Sequence, residues 1–268
     1  MTTTLALHSF RAGVGRTQLA TNLAGVLAIG GAQVGIVDFG DERFGVPALF
    51  GLDSRDLSER LHAYFWDRLP LEETPVDVTA QLGQETPSGR LFVIPTILWR
   101  EWLTPPVPAG VEPGLFQMAI SRIASGLALD WLIVETGSGL DDGALVSVAS
   151  ADILLEVARP DAQDLQATAV MLGIAERLGA TRISLVVSQA PSSADPAALR
   201  RQFEAAYHVP VAAVLPLTPE LAHREPGVLL ALHRPGHPWS RAIHRLARRL
   251  ATGDPAGQRL GSGEWTLS

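Results

Sequence analysis

The sequence predicts an α/β protein in which a doubly wound, mostly parallel sheet carries helices on both faces. Three observations indicate this class. Short apolar runs of strand length alternate along the chain with amphipathic segments of helical length. A glycine-bearing turn directly follows the first apolar run. The chain has 268 residues, 47% of them hydrophobic and 18% charged, so it can bury a large core.

The N-terminal segment predicts a βαβ unit. An apolar run at residues 5–10 leads into the turn at 11–17, and apolar residues then recur with helical spacing until two glycines end the helix. A second apolar run at 33–37 finishes at Asp38. Because a right-handed crossover brings the ends of parallel strands to one edge, Thr17 and Asp38 are expected to face one crevice.

The remaining elements continue this alternation. Further strands are expected at residues 91–95, 131–135, 153–157, 183–187 and 211–215. Helices are expected at about 54–64, 115–127, 143–148, 162–178 and 196–207, with a proline-rich loop at 104–113. We expect one folded domain over residues 1–251 and a flexible C-terminal tail over 252–268, which is rich in Gly, Ser and Pro.

Composition excludes several classes of function. The chain has no cysteine, which excludes disulfides, thiolate metal sites and cysteine nucleophiles. It also has no lysine, so arginine supplies all of its basic side-chain charge apart from histidine. No apolar stretch is long enough for a membrane helix and the start lacks a basic signal-peptide flank, so a cytoplasmic location is expected. The seven histidines are scattered without convincing metal-ligand spacing and are expected at the surface.

The turn after the first strand has the composition of a phosphate-binding loop. Gly13 and Gly15 allow backbone N–H groups to converge on an anion at the start of a helix. A basic side chain then spans the outer phosphates and a hydroxyl holds Mg²⁺, and Arg16 and Thr17 occupy those places. Two glycines alone would also suit a plain strand-to-helix turn, so the loop needs support from the rest of the chain.

That support comes from a resemblance to the ParA/MinD family of ATPases over about residues 2–250. Residues 8–24, HSFRAGVGRTQLATNLA, resemble the family's variant phosphate loop KGGVGKT and its helix. Residues 34–40, VGIVDFG, resemble the second motif, and residues 131–140, WLIVETGSGL, resemble the third. Shorter matches follow at residues 143–145, 151–152, 159–161, 165, 214–216 and 236–238.

The resemblance implies a P-loop NTPase fold and a site for ATP or ADP with Mg²⁺. It assigns nucleotide contacts to Arg11, Ala12, Gly13, Val14, Gly15, Arg16, Thr17, Gln18 and Pro216. It assigns the metal to Thr17, Asp38 and Glu135, and catalysis to Arg11, Arg16, Asp38 and Asp41.

The site departs from the family pattern at several positions. Arg11 and Arg16 stand where the family has lysines, and a planar guanidinium is not equivalent to an ammonium. Gly40 replaces the aspartate that orients the attacking water, leaving the neighbouring Asp41 as the substitute. Glu135 replaces an aspartate and keeps its charge one methylene further out.

Two functions fit these departures. One is an ATP-dependent switch, a slow ATPase that forms a homodimer with nucleotide, responds to a stimulating partner protein and positions a cargo. The other is a catalytically degenerate accessory scaffold that docks on a partner complex, such as a secretion complex. A metal-handling relative of the same fold is disfavoured because the chain has no cysteine.

The last predicted helix is basic and amphipathic. Its apolar stripe favours packing against the sheet, while its arginines leave non-specific DNA binding as an alternative. These arginines are Arg241, Arg245, Arg248 and Arg249. The end of the tail does not resemble a membrane-binding helix, so membrane targeting is not expected.

Overall fold

The computed structural model describes residues 1–39, 45–53, 60, 69–83, 88–94, 113–222 and 226–253. In these ranges the strands form one sheet in the order β3-β4-β2-β5-β1-β6-β7-β8. The strands are β1 (Thr3–Ser9), β2 (Gln33–Asp38), β3 (Val76–Asp77), β4 (Arg90–Ile94), β5 (Trp131–Ser138), β6 (Ile153–Ala158), β7 (Ile183–Ala190) and β8 (Val211–Pro216). Each apolar run that was predicted as a strand forms one.

Neighbouring strands pair in parallel except at one edge. β1 lies at the centre between β5 and β6, and β2 lies between β5 and β4. β3 pairs antiparallel with β4 and was not predicted, because a strand of two residues has no measurable periodicity. The parallel arrangement brings the carboxyl ends of β1, β2 and β5 to the same edge, and for β1 and β2 this confirms the sequence prediction.

Several helices begin where the sequence places proline or a capping side chain. They are α1 (Arg16–Ile29), α2 (Val46–Leu49), α3 (Pro113–Gly126), α4 (Asp142–Ser150), α5 (Ala162–Arg177), α6 (Pro196–Tyr207), α7 (Leu230–His233) and α8 (Pro238–Ala251). The side chains of Asp141, Asp161 and Asp195 accept hydrogen bonds from backbone N–H groups in the first turns of α4, α5 and α6. Proline opens α6 and α8, where a missing N–H has no cost.

Both faces of the sheet are covered, which confirms the doubly wound α/β class. Leu5 and Leu7 of β1 pack in one buried cluster with residues of α1 and α8. Ala6 points to the opposite face, where it packs in a cluster with Met171 of α5 and Phe203 of α6. A third buried cluster joins β2, β4 and β5 to α3. The strands around the phosphate loop are therefore fixed from both sides.

Some sequence predictions lie outside the described residues. They include Gly40, Asp41, most of the helix expected at 54–64, the loop at 104–112 and most of the tail. The division at residue 251 thus stays a prediction, although α8 ends at Ala251. Within the described ranges, no helix is long and apolar enough to cross a membrane.

Candidate functional site

The phosphate loop joins β1 to α1 and has the backbone shape that anion binding requires. Gly13 and Gly15 have φ of 75° and 87°, in the left-handed region that favours glycine. α1 starts at Arg16, immediately after Gly15. The loop therefore presents backbone N–H groups at the positive end of a helix of fourteen residues.

A hydroxyl and two carboxylates meet beside this loop. Thr17 Oγ1 donates to Glu135 Oε1 at 2.6 Å. Asp38 and Glu135 are register partners on β2 and β5, and Asp38 Oδ2 accepts from the Val46 backbone N–H at 2.8 Å. Thr17, Asp38, Glu135 and Arg16 also line a cavity of about 190 Å³. The sequence prediction that Thr17 and Asp38 face one crevice is confirmed.

These oxygens suit Mg²⁺ chemically. Mg²⁺ prefers oxygen ligands and binds through one or two protein groups, with nucleotide phosphates and water completing its shell. Among the described residues there is no group of three or more His, Asp or Glu side chains that could hold a metal alone. A site that depends on nucleotide phosphates for part of the metal shell is consistent with both observations.

Arg16 is folded inward against the protein. Its Nη1 donates to Ser9 Oγ at 2.5 Å and to the Ser9 carbonyl at 3.3 Å, and its Nε lies 3.6 Å from Glu135 Oε1. The side chain is only 9% exposed. The positive charge is thus at the phosphate loop, but its hydrogen-bonding groups face β1 and β5.

Arg11 faces outward, toward the start of α5. Its Nη1 lies 3.1 Å from Asp164 Oδ1 and 3.4 Å from Asp161 Oδ1. Arg159 contacts the same two carboxylates, at 3.2 Å and 3.1 Å. The backbone N–H of Asp164, followed by Arg159 and Arg11, holds the pKa of Asp161 below its usual value. The structure therefore brings Arg11 together with two aspartates at the start of α5, a contact that the sequence analysis did not predict.

The other predicted nucleotide contacts occupy different surroundings. Ala12 lines the cavity beside Thr17, whereas Val14 is buried. Gln18 is almost buried on α1 and donates to the Leu221 carbonyl at 3.3 Å. Pro216 ends β8 opposite Ala190 and lines a separate cavity of about 310 Å³. Nucleotide contacts at these positions stay predictions.

Gln189 is a loop contact that the sequence analysis missed. It lies within β7, one residue before the strand ends, and has φ of 51°, a conformation uncommon for a residue other than glycine. Its Nε2 donates to the Gly13 carbonyl at 2.7 Å. The signal was absent from sequence because Gln189 lies far from the loop along the chain.

His8 contradicts the expectation that histidines lie at the surface. It is fully buried, with Nδ1 2.7 Å from Glu156 Oε2 and Nε2 2.7 Å from the Gly139 carbonyl oxygen. Burial alone would lower the pKa of His8, but the charge and hydrogen bond of Glu156 and the Gly139 carbonyl outweigh it, so the pKa lies above its ordinary value. Periodicity could not reveal this pair because both residues interrupt apolar strands.

Comparison with known proteins places this geometry in context. No protein-family profile matches the sequence. An uncharacterized ATP-binding protein of Methanocaldococcus jannaschii is 24% identical over 257 residues, covering 93% of this chain and 88% of that protein.

Solved structures show the same fold. A chain of the MinC:MinD cell division protein complex of Aquifex aeolicus superposes with a TM-score of 0.72 at 19% identity, covering 93% of this chain and 96% of that one. A ParA family ATPase of Chlorobium tepidum gives 0.68 at 21%, with 92% and 99% covered. MinD of Pyrococcus horikoshii, complexed with Mg-ADP, gives 0.67 at 17%, with 93% and 96% covered. The chain therefore has the fold of MinD and ParA ATPases. This confirms the fold that the sequence resemblance implied.

Proposed function

We propose that this protein binds ATP or ADP with Mg²⁺ at the phosphate loop and acts as a nucleotide-dependent switch of the ParA/MinD kind. The observation that carries the proposal is the convergence of Thr17, Asp38 and Glu135 beside a glycine loop that opens a helix. The similar ATP-binding protein of M. jannaschii and the MinD structure with Mg-ADP support the choice of ligand.

Each part of the site has a physical role in this proposal. Backbone N–H groups of residues 12–17 bind the phosphates, and Arg16 adds a permanent charge next to them. Thr17 Oγ1 holds the metal, with Glu135 and Asp38 orienting its shell. Bound Mg²⁺ neutralises phosphate charge and fixes the orientation of the phosphate chain.

Hydrolysis is proposed to be slow. Catalysis would depend on Arg11, Arg16 and Asp38, together with Asp41 as a displaced acid. In the structure the guanidinium groups of Arg11 and Arg16 already bind protein groups, so nucleotide must compete for them. This cost is the reason to expect slow turnover.

The same observation favours a second candidate function. If the nucleotide does not displace Arg16 from Ser9 and Glu135, the chain retains only the fold and serves as a scaffold that docks on a partner complex. The two functions differ in whether nucleotide binds, and therefore in a direct binding measurement.

The proposal also includes a homodimer that forms with nucleotide, a stimulating partner protein, and a cytoplasmic location where ATP is available. The similarity to the MinC:MinD complex supports a partner protein. Non-specific DNA is a further proposed partner. Arg241, Arg245 and Arg248 are exposed on α8 and form no ion pair with any described residue, whereas Arg249 donates to the Ala212 carbonyl at 3.2 Å.

The metal-dependent part of the proposal is tested with Thr17→Ala. We expect Mg²⁺ to tighten ATP binding to the wild-type protein. In the variant the ratio of ATP affinity with Mg²⁺ to affinity without it should be about tenfold smaller, because the hydroxyl ligand is removed. Thr252→Ala, at the end of α8, is the matched control and should behave as wild type. Titrations of ATP with Mg²⁺ and with a chelator measure the difference. If the ATP affinity of the wild-type protein is the same with Mg²⁺ and with a chelator, the assignment of this metal site is wrong.

A further inference from the structure

The buried pair His8–Glu156 lies next to the phosphate loop, and neither residue is assigned to the nucleotide or the metal. His8 is the residue before Ser9 at the end of β1, and Glu156 is its register partner on β6. Both side chains are 0% exposed. Two ionisable groups kept out of water at this depth cost free energy unless their hydrogen bonds are nearly complete.

The hydrogen bonds of His8 define its protonation. A carbonyl oxygen only accepts, so Nε2 must donate to Gly139. Nδ1 faces a carboxylate oxygen of Glu156, and a carboxylate group only accepts, so with that partner Nδ1 donates as well. The geometry therefore suits an imidazolium paired with a carboxylate. The other charge that faces His8 is Arg16, at the start of α1, which opposes protonation of His8.

These bonds join three elements that meet at the phosphate loop. Gly139 follows β5, four residues after Glu135, which contacts both Thr17 and Arg16. The Gly139 backbone N–H also donates to the Ser9 carbonyl at 3.3 Å. His8 thus holds the segment after β5 against the beginning of the phosphate loop, and Glu156 holds His8.

We propose that His8 and Glu156 are positioning residues that fix Gly139, directly after β5, against the phosphate loop, and that the proton on His8 makes nucleotide affinity dependent on pH. A neutral His8 keeps one N–H only, so it must give up either Gly139 or Glu156. Because the pKa of His8 in the folded protein is raised, the support is present below the ordinary histidine range and is lost as pH rises through the raised value.

The pair also has a spare acceptor. Glu156 Oε1 is buried and has no hydrogen-bond donor among the residues that the structure describes. A neutral glutamine at this position could donate to Nδ1 while Nε2 still donates to Gly139. Glu156→Gln should therefore keep the geometry with a neutral His8 that carries one ring proton, on Nε2. Unlike wild-type His8, it has no second ring proton to lose as pH rises.

The experiment measures ATP affinity with Mg²⁺ from about pH 6 to about pH 9, a range that brackets the histidine pKa. Wild-type affinity should fall by about tenfold as pH rises. In Glu156→Gln the affinity should stay within about threefold across the range, because the hydrogen-bond count is constant. His244→Gln, on α8, is the control and should keep the wild-type profile. Identical profiles for wild type and Glu156→Gln would overturn the proposal.

A second variant separates positioning from folding. Removing His8 alone would leave a buried carboxylate without its partner, so His8→Phe is combined with Glu156→Leu. The double variant should fold, and its ATP affinity should be about tenfold weaker than that of wild type near about pH 6 and similar to it near about pH 9, because Gly139 has no donor at any pH.

This inference rests on the proposed function only where ATP affinity is measured. Two further measurements do not need nucleotide. In the protein without nucleotide, nitrogen NMR should show two ring protons on His8 near about pH 6, below the ordinary histidine pKa. Hydrogen exchange over residues 131–141 should be faster in the double variant than in wild type. If wild-type protein fails to bind ATP, the proposed function is wrong and these two measurements decide the positioning role alone. A singly protonated His8 with unchanged exchange would overturn it.

Discussion

The arginines on the inner and outer sides of the phosphate loop differ in how deeply they are buried and in which groups they contact. On the inner side Arg16 is 9% exposed, between β1 and β5, and on the outer side Arg11 is 36% exposed, against α5. Both stand where the resembling ATPases carry lysine. The same change in sequence therefore has two physical consequences, because a buried cation depends on its partners far more than an exposed one.

The inner side should be the more sensitive to loss of a partner. Glu135→Ala removes the carboxylate beside Arg16 and leaves its charge buried, so the free energy of unfolding should fall by about 3 kcal/mol. Urea denaturation measures this change. Glu72→Ala is the matched control, because its pair with Arg122 is exposed and should contribute less than about 1 kcal/mol. Equal losses in the two variants would contradict the difference in burial.

The outer side should show an intermediate effect at its one buried carboxylate. Asp164 is 4% exposed and accepts from the Arg159 backbone N–H at 2.9 Å as well as from two arginines. Asp164→Ala leaves these donors without their acceptor and should cost about 2 kcal/mol of unfolding free energy. Asp142→Ala, exposed in the first turn of α4, should leave stability unchanged. If Asp164→Ala is as stable as this control, the Asp164 carboxylate does not contribute to stability through its contacts with Arg11 and Arg159.

Removing Arg11 itself should affect assembly more than stability. In the homodimer proposed above, we propose that Arg11 leaves its aspartates and contacts the nucleotide bound by the second subunit. Arg11→Ala should change the free energy of unfolding by less than about 1 kcal/mol, because the pair is partly exposed. Light scattering with and without ATP should show that the variant no longer dimerises. A variant that dimerises like wild type would remove Arg11 from the proposed interface.

The smallest effect is expected at Asp161, whose side chain is 43% exposed. Its pKa is lowered, so the carboxylate contributes stability above the unfolded-state pKa, and that contribution is lost as pH falls through the folded-state value. Asp161→Asn should therefore be slightly less stable than wild type at neutral pH, by less than about 1 kcal/mol because water screens the pair. The two proteins should converge in acid. A difference that persists at low pH would assign the effect to packing.

The sequence predicted the fold better than the site for a physical reason. Buried strands and helices repeat their apolar pattern locally, so β1, α1 and β2 could be placed from periodicity alone. The meeting of Thr17 with Asp38 followed from the crossover rule, which converts chain order into position. Neither apolar periodicity nor the crossover rule predicts the direction in which a long side chain points.

What could not be predicted depends on contacts between distant segments. Arg11 and Arg16 have the same chemistry, and only the folded chain shows that one turns to Asp164 and the other to Ser9. His8 and Glu156 are 148 residues apart, and each alone reads as an irregularity in an apolar strand. Gln189 reaches Gly13 across 176 residues. Such pairs become visible only when the strand order is known.

The measurement that tests the central claim most directly is calorimetric titration of the purified protein with ATP and Mg²⁺. Arg16→Ala is compared with Arg122→Ala, which removes an exposed arginine from α3. We expect wild type and Arg122→Ala to bind alike and Arg16→Ala to bind at least about tenfold more weakly, because a charge-assisted contact to phosphate is lost. Absence of binding by wild type at about 1 mM ATP would contradict a nucleotide switch and leave the scaffold.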